Sequence, residues 1–418
     1  MKNKKKLTIG LFGLGCVGGG LYEVLNRSSL IDAEIKTICI RDQNKKRTLS
    51  EYILTTDRYA ILDDDEINVV VELIDDANAA YEIVSEALKR GKHVVTANKK
   101  MVAEHLDELI KLARKNEVSF LYEASVCGSI PVIRNLEEYY NNDSLSSVTG
   151  ICNGTTNYIL SQTNRGLTFA EALSKAQELG FAESDPTMDI DGYDSKFKLV
   201  LLIKHAFGIT VQPDDIANTG IRNIKPQDLN YAAEKGYRVK LFSHAQKIGK
   251  HVLGMVAPYF VPETHFAYTV ENEFNAIVVE ALFSDKQLFI GKGAGSYPTA
   301  SAVLSDIAAL LFDYQYEYKK EQSVIDTFFT NDFSLDIYLG SSEGEIGLNE
   351  LSFELEYTRF VSDEYAYKTG RVLFSELKAM DFNKKKHLFF AILPDASVGL
   401  SENPRITGAQ KNKELIPG

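Results

Sequence analysis

Residues 183–208, ESDPTMDIDGYDSKFKLVLLIKHAFG, place five carboxylates in twelve residues, then Lys196 and Lys198, then the apolar run Leu199, Val200, Leu201, Leu202 and Ile203. An acidic cluster in a solvated loop has no need to end at the mouth of a buried helix. If that helix begins near Gly192 or Tyr193, Asp194 and Lys198 stand four apart and share one face. Asp194 then sits at the helix N-terminus, where negative charge is stabilised. A partly buried lysine beside a carboxylate has an adjustable pKa, which general acid–base catalysis requires. Glu183 and Asp189, in the irregular segment before the helix, are placed to bind the amino group of a small zwitterion. His205, inside the apolar run, reads as a packed core residue and not as a ligand.

A second lysine is set by a strand end. KHVVTANK closes a strand at Asn98 and Lys99, and doubly wound sheets bind ligands at the carboxyl ends of their strands. Lys99 thus falls on the nucleotide side, its ammonium beside nicotinamide and substrate; the plainer reading is an exposed lysine. GLGCVG fits GxGxxG at Gly13, Gly15 and Gly18, with Cys16 and Val17 between the last two. Alone the pattern is weak. Here a strand precedes it, a helix follows, and a second strand ends about 25 residues on, the context a dinucleotide fingerprint needs. Gly15 lets the backbone approach a pyrophosphate seated on the helix N-terminus. At the end of the second strand stand Arg41 and Asp42, then Lys45, Lys46 and Arg47. An acid there takes the ribose 2′-hydroxyl of NAD, an arginine the 2′-phosphate of NADP. Arg41 and the cations behind it point to NADP, with NAD left open.

These residues need a scaffold. Strand and helix alternate through LTIGLFG, AEIKTICIRD, INVVVELID, NAAYEIVSEALKRG, KHVVTANK, AEHLDELIKLARKNE and VSFLYEASV. That rhythm predicts an α/β, Rossmann-type doubly wound parallel sheet. The pattern then loosens. SLSSVTGICNG, HVLGMVAPYFV, NAIVVEAL and KQLFIGKG read as strands, and TTNYILSQTNRG and TFAEALSKAQELG as helices, in an α+β domain. PTASAVLSDIAALLFDY reads as a helix with Pro298 in its first turn. Beyond residue 330, FSLDIYLG, ELSFELEYTRFV and HLFFAILP alternate like strands, and TGRVLFSELKAM reads as helix. The expected division is 1–126 for dinucleotide binding, with helix 298–314 packing back near it, 127–330 for substrate and catalysis, and 331–418 for a small α+β unit with a polar tail, 402–418.

Composition narrows the class. A chain of 418 residues exceeds one ordinary core, and 44% apolar with 25% charged residues is globular. A net charge of -12 argues against a nucleic-acid partner held through phosphates. The basic start MKNKKK is followed by a Gly-rich stretch with no cleavage pattern, unlike a signal peptide, and no uncharged run is long enough to span a bilayer. Cys16, Cys39, Cys127 and Cys152 form no CxxC, and the seven histidines no HExxH. Neither a disulfide frame nor a zinc site is expected, and the expected compartment is the cytoplasm.

Seven motifs in order, GLGCVG, VVVELI, VVTANK, YEASVCGSIPVI, GICNGTTNYIL, ESDPTMDIDGYDSKFK and GKGAGSYPTASAVLSDI, resemble those of homoserine dehydrogenases over residues 6–325. That family interconverts L-aspartate 4-semialdehyde and L-homoserine with NAD(P), on the aspartate pathway to threonine and methionine. The resemblance implies that Lys198 gives and takes the proton, that Lys99 is a second active-site lysine near the nicotinamide, and that Asp194 orders the catalytic water and lysine. It implies that Glu183 binds homoserine, that Asp189 lines the same site, and that Asn153, Gly154 and Thr155 form part of the substrate and nicotinamide pocket. Gly13, Gly15, Cys16, Val17, Gly18, Arg41, Lys99 and Gly295 would hold the cofactor. Carbonyl oxygens of Glu123, Val126, Gly128 and Ile130 would bind sodium or potassium. A homodimer built through the substrate domain is implied, with no nucleic-acid or membrane partner.

Three features depart from the family pattern. Asp75 and Asp76 stand where Gly-Gly is usual, in a loop that in the family lies against the cofactor; the alternatives for two carboxylates there are that they repel a phosphate, demand a different loop path, or favour NAD. Cys127 replaces a glycine beside the cation loop. Many members end in an ACT domain with a DxPG-like turn after its first strand; DIYLGSSEGEIGLNELSF lacks that turn, which leaves a divergent ACT-like unit. Two other readings compete. A dehydrogenase of another small zwitterion would not need the whole set from Glu183 to Lys198. A nucleotide-binding sensor without turnover has only Asp75 and Asp76 in its favour.

Overall fold

Apolar runs that alternate with amphipathic helices become a six-stranded parallel sheet. Its strands are β1 (Leu7–Phe12), β2 (Ala33–Cys39), β3 (Leu54–Thr55), β4 (Val69–Glu72), β5 (His93–Thr96) and β6 (Phe120–Leu121), in the order 3-2-1-4-5-6. β1 runs parallel to both β2 and β4. The strand order therefore reverses at β1 and opens a crevice at the carboxyl ends, where such sheets take their ligands. Every residue of β4 is buried, as a strand covered on both faces must be. β3 escapes sequence reading because two residues carry no periodicity.

The computed structural model describes residues 6–28, 31–42, 53–142, 144–323, 326–394, 396 and 398–400; Lys45, Lys46, Arg47 and the tail 402–418 lie outside them. The chain divides into two compact units, Met1–Asn141 with Gly291–Lys319, and Asn142–Ile290 with Lys320–Gly418. The expected boundary after residue 126 falls inside the first. Segment 127–141 stays there because the Glu123 carboxylate accepts from the backbone N–H of Ile133 (2.9 Å) and Arg134 (2.8 Å). Arg134 also pairs with Asp306 at 3.1 Å, on the helix Ser296–Leu310. That helix packs on Cys16–Arg27: the Ser296 hydroxyl donates to the Cys16 carbonyl at 2.8 Å, and the Tyr297 hydroxyl to Glu23 at 2.5 Å.

The second unit builds one mixed sheet of twelve strands. They are β7 (Leu145–Ile151), β8 (Ala217–Asn218), β9 (Tyr237–Ile248), β10 (His251–Pro262), β11 (Phe274–Ala281), β12 (Asp285–Lys292), β13 (Phe328–Phe329), β14 (Phe333–Ser341), β15 (Leu355–Val361), β16 (Ala366–Leu373), β17 (Leu388–Ile392) and β18 (Gly399–Leu400). The main path runs β12-β11-β7-β9-β10-β17-β14-β16-β15. β9 went unrecognised because a lysine stands on its buried side. Lys240 Nζ donates to Asn157 Oδ1 (3.0 Å) and the Val270 carbonyl (2.5 Å), and burial lowers its pKa to about 8.

β14–β17 and the short helices Gly344–Leu348 and Phe374–Ala379 follow a β-α-β-β-α-β course. Their strands pair antiparallel in the order 17-14-16-15, a split β-α-β arrangement. This is not a separate unit as expected. β17 pairs with β10 at Tyr259 and Ile392, and Leu253 and Met255 of β10 share an apolar cluster with Phe333, Leu335 and Leu388. Residues 369–373, read as the start of a helix, instead complete β16, where Val372 pairs with Leu335. A β-branched residue after Gly370 favours that outcome. Among the described residues, no helix is long and apolar enough to cross a membrane. All four cysteines are free thiols.

Candidate active site

The nucleotide end of the first unit lies where β1 gives way to the helix Cys16–Arg27. Gly13 N–H donates to the Cys39 carbonyl at 3.0 Å, tying the turn to β2. A Cβ at Gly18 would lie 2.2 Å from the Gly13 carbonyl oxygen, so only glycine lets helix and turn meet this closely. Among the described residues, a Cβ at Gly15 would meet nothing within 4 Å, and no side chain caps the helix there. The first-turn N–H groups, at Cys16, Val17 and Gly18, have no intrahelical partner and face an anion readily. Gly295 caps the helix Ser296–Leu310, and its neighbour Ser296 reaches Cys16. Arg41 and Asp42 are exposed just beyond β2.

Of the two unexpected acids, Asp76 serves its own helix. Its carboxylate accepts from the N–H of Asn78 (2.9 Å) and Ala79 (3.0 Å) and so caps Ala77–Lys89. Lys99 opens the helix Lys99–Lys115, capped by Asn98 Oδ1 on Met101 N–H at 3.1 Å. Asn98 Nδ2 also donates to the Ile74 carbonyl at 3.0 Å. Behind this turn lies Glu72, fully buried, which accepts from the Thr96 hydroxyl (2.5 Å) and Ile74 N–H (2.7 Å). Burial raises its pKa to about 7. Sequence reading passed over Glu72; the signal was a lone carboxylate at the carboxyl end of an otherwise apolar central strand.

The expected cation loop also belongs to the first unit. Glu123, Val126, Gly128 and Ile130 span the short helix Ala124–Cys127 and the turn after it, where Ser125 N–H donates to the Tyr122 carbonyl (3.0 Å) and Ile130 N–H to the Cys127 carbonyl (3.0 Å). Glu123 and Asp306 are buried together, and Glu123 N–H donates to Asp306 at 3.0 Å. Burial first, and then the Asp306 charge, raise the Glu123 pKa to about 8; burial raises that of Asp306 to about 6.

In the second unit the acidic segment is sorted residue by residue. Lys198 Nζ donates to Asp194 Oδ2 (2.7 Å) and to the Cys152 carbonyl (2.6 Å). Asp194 and Lys198 lie at 5% and 7% exposure, so this ion pair is almost shut off from water. The helix Tyr193–Phe207 begins where the sequence suggested, with Gly192 as its cap and Asp194 in its first turn. Asn153 is the hub. Its Oδ1 caps the helix Gly154–Thr163 on Thr156 N–H at 2.8 Å, while Nδ2 donates to Asp189 (2.7 Å) and Asp194 (2.9 Å). The Thr155 hydroxyl donates to the Phe181 carbonyl at 2.5 Å. Asp185 accepts from Thr187 N–H at 3.1 Å. Asp191 makes a two-pronged pair with Arg222, at 2.7 and 3.0 Å. Glu183 stays exposed, and its carbonyl accepts from Gln177 Nε2 at 3.0 Å. The structure thus joins Asn153, Asp189, Asp194 and Lys198 and leaves Glu183 at the edge. His205 is fully buried.

A chain that keeps a dinucleotide turn open and elsewhere fixes a lysine among carboxylates is built for hydride exchange coupled to proton transfer. It is a nicotinamide-dependent oxidoreductase. A family model described as homoserine dehydrogenase matches residues 131–308, and another described as its NAD-binding domain matches residues 13–123. The homoserine dehydrogenase of Bacillus subtilis is 37% identical over 317 residues, 73% of each chain. A crystal structure of a homoserine dehydrogenase from Thiobacillus denitrificans superposes with a TM-score of 0.81 at 30% identity, covering 94% of this chain and 99% of its own. A hyperthermophilic archaeal homoserine dehydrogenase mutant in complex with NADPH gives 0.66 at 25% identity, over 75% of this chain and 100% of its own. The chain belongs to the homoserine dehydrogenase family. Its reaction is the interconversion of L-aspartate 4-semialdehyde and L-homoserine with a nicotinamide nucleotide.

Proposed function

We propose that Lys198 is the proton donor and acceptor of this reaction. The observation that carries it is the buried pair of Lys198 with Asp194, held on one side by Asn153 and on the other by the Cys152 carbonyl. A nicotinamide nucleotide, when bound, would supply the hydride for the aldehyde carbon or take it up from homoserine; the residues of this chain would position the substrate and move the proton. As charge develops on the aldehyde oxygen, Lys198 stabilises it and gives up a proton; in the reverse direction Lys198 takes that proton back. Asp194 orients the ammonium and orders the water that restores its proton. Asn153 keeps Asp189 and Asp194 at a fixed spacing, so Asp189, with Glu183 at the edge, takes the substrate ammonium group. Gly154 and Thr155, at the start of the same helix, line the pocket. Lys99 acts as the second active-site lysine.

Open space at Gly15 and the donors of the helix start fit a pyrophosphate held by Gly13, Gly15, Cys16, Val17 and Gly18, with Gly295 close to Cys16 through Ser296. Arg41 takes the 2′-phosphate, so NADP is the preferred cofactor over NAD. The carbonyls of Glu123, Val126, Gly128 and Ile130 hold a sodium or potassium ion, a reading favoured by the buried acids Glu123 and Asp306 beside them. The protein works as a cytoplasmic homodimer joined through the substrate-binding unit, where Leu282 and Phe283 are exposed.

The test is the initial rate of NADP and NAD reduction with L-homoserine, wild type beside Lys198→Ala. We expect the variant to lose about 10³-fold in kcat, the scale of a general acid–base group, and NADP to outpace NAD. A folded wild type that turns over neither cofactor rejects the enzyme reading. Equal rates with both reject the role of Arg41.

A further inference from the structure

Asp191 lies between the two acids held by Asn153, yet it faces away from them. Its side chain is taken by Arg222, and its carbonyl accepts from Asn218 Nδ2 (2.8 Å) and Asn383 Nδ2 (3.0 Å). Asn383 belongs to the C-terminal part of the second unit, beyond residue 308 where the family match ends. Its amide is used in full: Nδ2 donates also to the Asn218 carbonyl (3.1 Å), and Oδ1 accepts from Gly220 N–H (2.9 Å). One side chain thereby clamps segment 218–220 against the acidic segment. The two backbones are in direct contact. Ile221 N–H donates to the Ile190 carbonyl at 2.7 Å, and a Cβ at Gly220 would lie 1.8 Å from that oxygen. The turn that carries Asn383 is itself fixed, since Asn223 Nδ2 donates to the carbonyls of Phe382 (2.7 Å) and Lys385 (3.1 Å).

We infer that Asn383 is a positioning residue for the reaction: it sets the place of Asp191 and, through it, of Asp189 on one side and of Asp194 and Lys198 on the other. The inference rests on the roles proposed above for those residues. Gly192, directly after Asp191, starts the helix of Asp194 and Lys198, and Lys196 N–H donates to its carbonyl at 3.0 Å. Without the clamp, the Asp191 carbonyl keeps only Asn218 Nδ2, while its N–H stays on the Thr187 carbonyl (3.1 Å) and its carboxylate on Arg222, so the acidic segment is held to segment 218–220 by fewer bonds and the helix start gains freedom. A displacement of about 1 Å at reacting groups is enough to cost on the order of 100-fold in rate.

A neighbouring tie supplies the control. Lys378 Nζ donates to the carbonyls of Asp214 (3.0 Å) and Asp215 (2.7 Å), joining the same two parts of the unit without touching segment 187–194. The experiment measures kcat/KM for L-homoserine, KM for the nucleotide, thermal midpoint, and hydrogen exchange of amides 187–198. It compares wild type, Asn383→Ala, Asn383→Gln and Lys378→Ala. We expect Asn383→Ala to lose about 10- to 100-fold in kcat/KM with nucleotide KM nearly unchanged, and to exchange faster at 187–198. Asn383→Gln, which keeps the amide, recovers part of both and stands in if the alanine variant does not fold. Lys378→Ala loses thermal midpoint alone. If Asn383→Ala and Lys378→Ala differ only in stability, with kcat/KM and exchange unmoved, the positioning role is wrong. If wild type itself lacks turnover, the proposed function fails and exchange decides alone: unchanged protection at 187–198 in Asn383→Ala overturns the inference.

Discussion

Two aspartates of the second unit, Asp194 and Asp228, are buried almost equally, at 5% and 0% exposure, and are used in opposite ways. Asp194 meets an ammonium, that of Lys198, and Asn153 shares it with the acidic segment. Asp228 meets two phenols. It accepts from Lys225 N–H (2.7 Å) and the Tyr338 hydroxyl (3.0 Å), and also from the Tyr365 hydroxyl. Burial outweighs these bonds and raises its pKa to about 7. The partner, and not the depth, decides what a buried carboxylate does. A cation makes it one half of a buried ion pair; neutral donors turn it into a tie between elements, here between the helix Pro226–Glu234 and strand β14.

The sharpest way to break that contrast is to make the same change at both positions. Asp194→Asn leaves a buried ammonium without its counter-charge, which destabilises the fold by about a few kcal/mol and disorders Lys198, the proposed proton donor. We expect kcat for homoserine oxidation to fall by about 10²-fold or more. Asp228→Asn keeps the size and most of the hydrogen bonds and should leave kcat within about twofold of wild type, because no reacting group touches it. Similar losses of activity at the two positions would abolish the distinction.

The second way uses pH. The folded pKa of Asp228, about 7, lies above the ordinary aspartate value of 3.8. Its contribution to stability is therefore full below pH 4, where both states hold the proton, and is lost as pH rises toward 7. Glu72 and Glu123, at about 7 and about 8, act in the same direction from their usual 4.5. Wild type should lose stability between pH 5 and pH 8 in urea unfolding. Asp228→Asn, uncharged throughout, should lose less over that interval, by on the order of 2 kcal/mol. Parallel pH profiles would mean that this carboxyl does not titrate in that range.

What the sequence revealed follows the same divide. Asp194 and Lys198 were legible because a helix puts residues four apart on one face, and the parallel sheet because short, largely apolar strands alternate with amphipathic helices. Asp189 was legible from its place in the acidic segment before that helix, whereas Asn153 was reachable only through the family resemblance, since nothing local says that one amide bridges two acids. The Asp228 tie was invisible: its phenol partners stand 110 and 137 residues away. So was the pairing of β17 with β10, although β14, β15 and β17 themselves were read as strands. Family matches stop at residue 308, yet the Thiobacillus denitrificans structure covers 94% of this chain, so the likeness of fold outlasts the likeness of sequence. Apolar faces can be conserved in pattern while every side chain changes. Of the five acids in segment 183–194, Asp185 and Asp191 went unassigned; the partners of Asp191, Arg222 and Asn383, are likewise distant.

A third carboxylate extends the contrast to the first unit and to the smallest effect. Asp76 is exposed and, among the described residues, holds neither cation nor phenol; it caps a helix through two backbone N–H groups. Its replacement of a glycine beside the expected cofactor raised the alternative that it repels phosphate. Capping and repulsion respond differently to charge. Asp76→Ala should cost about 1 kcal/mol in unfolding, as loss of a cap does, while Asp76→Asn, itself a good cap, should cost only a small part of that. Nucleotide KM should stay within about twofold in both, since surface charge in water is screened over roughly 8–10 Å. Tighter NADP binding in both variants, with stability unmoved, would mean that the acid is set against the nucleotide and that its bonds to Asn78 and Ala79 are incidental.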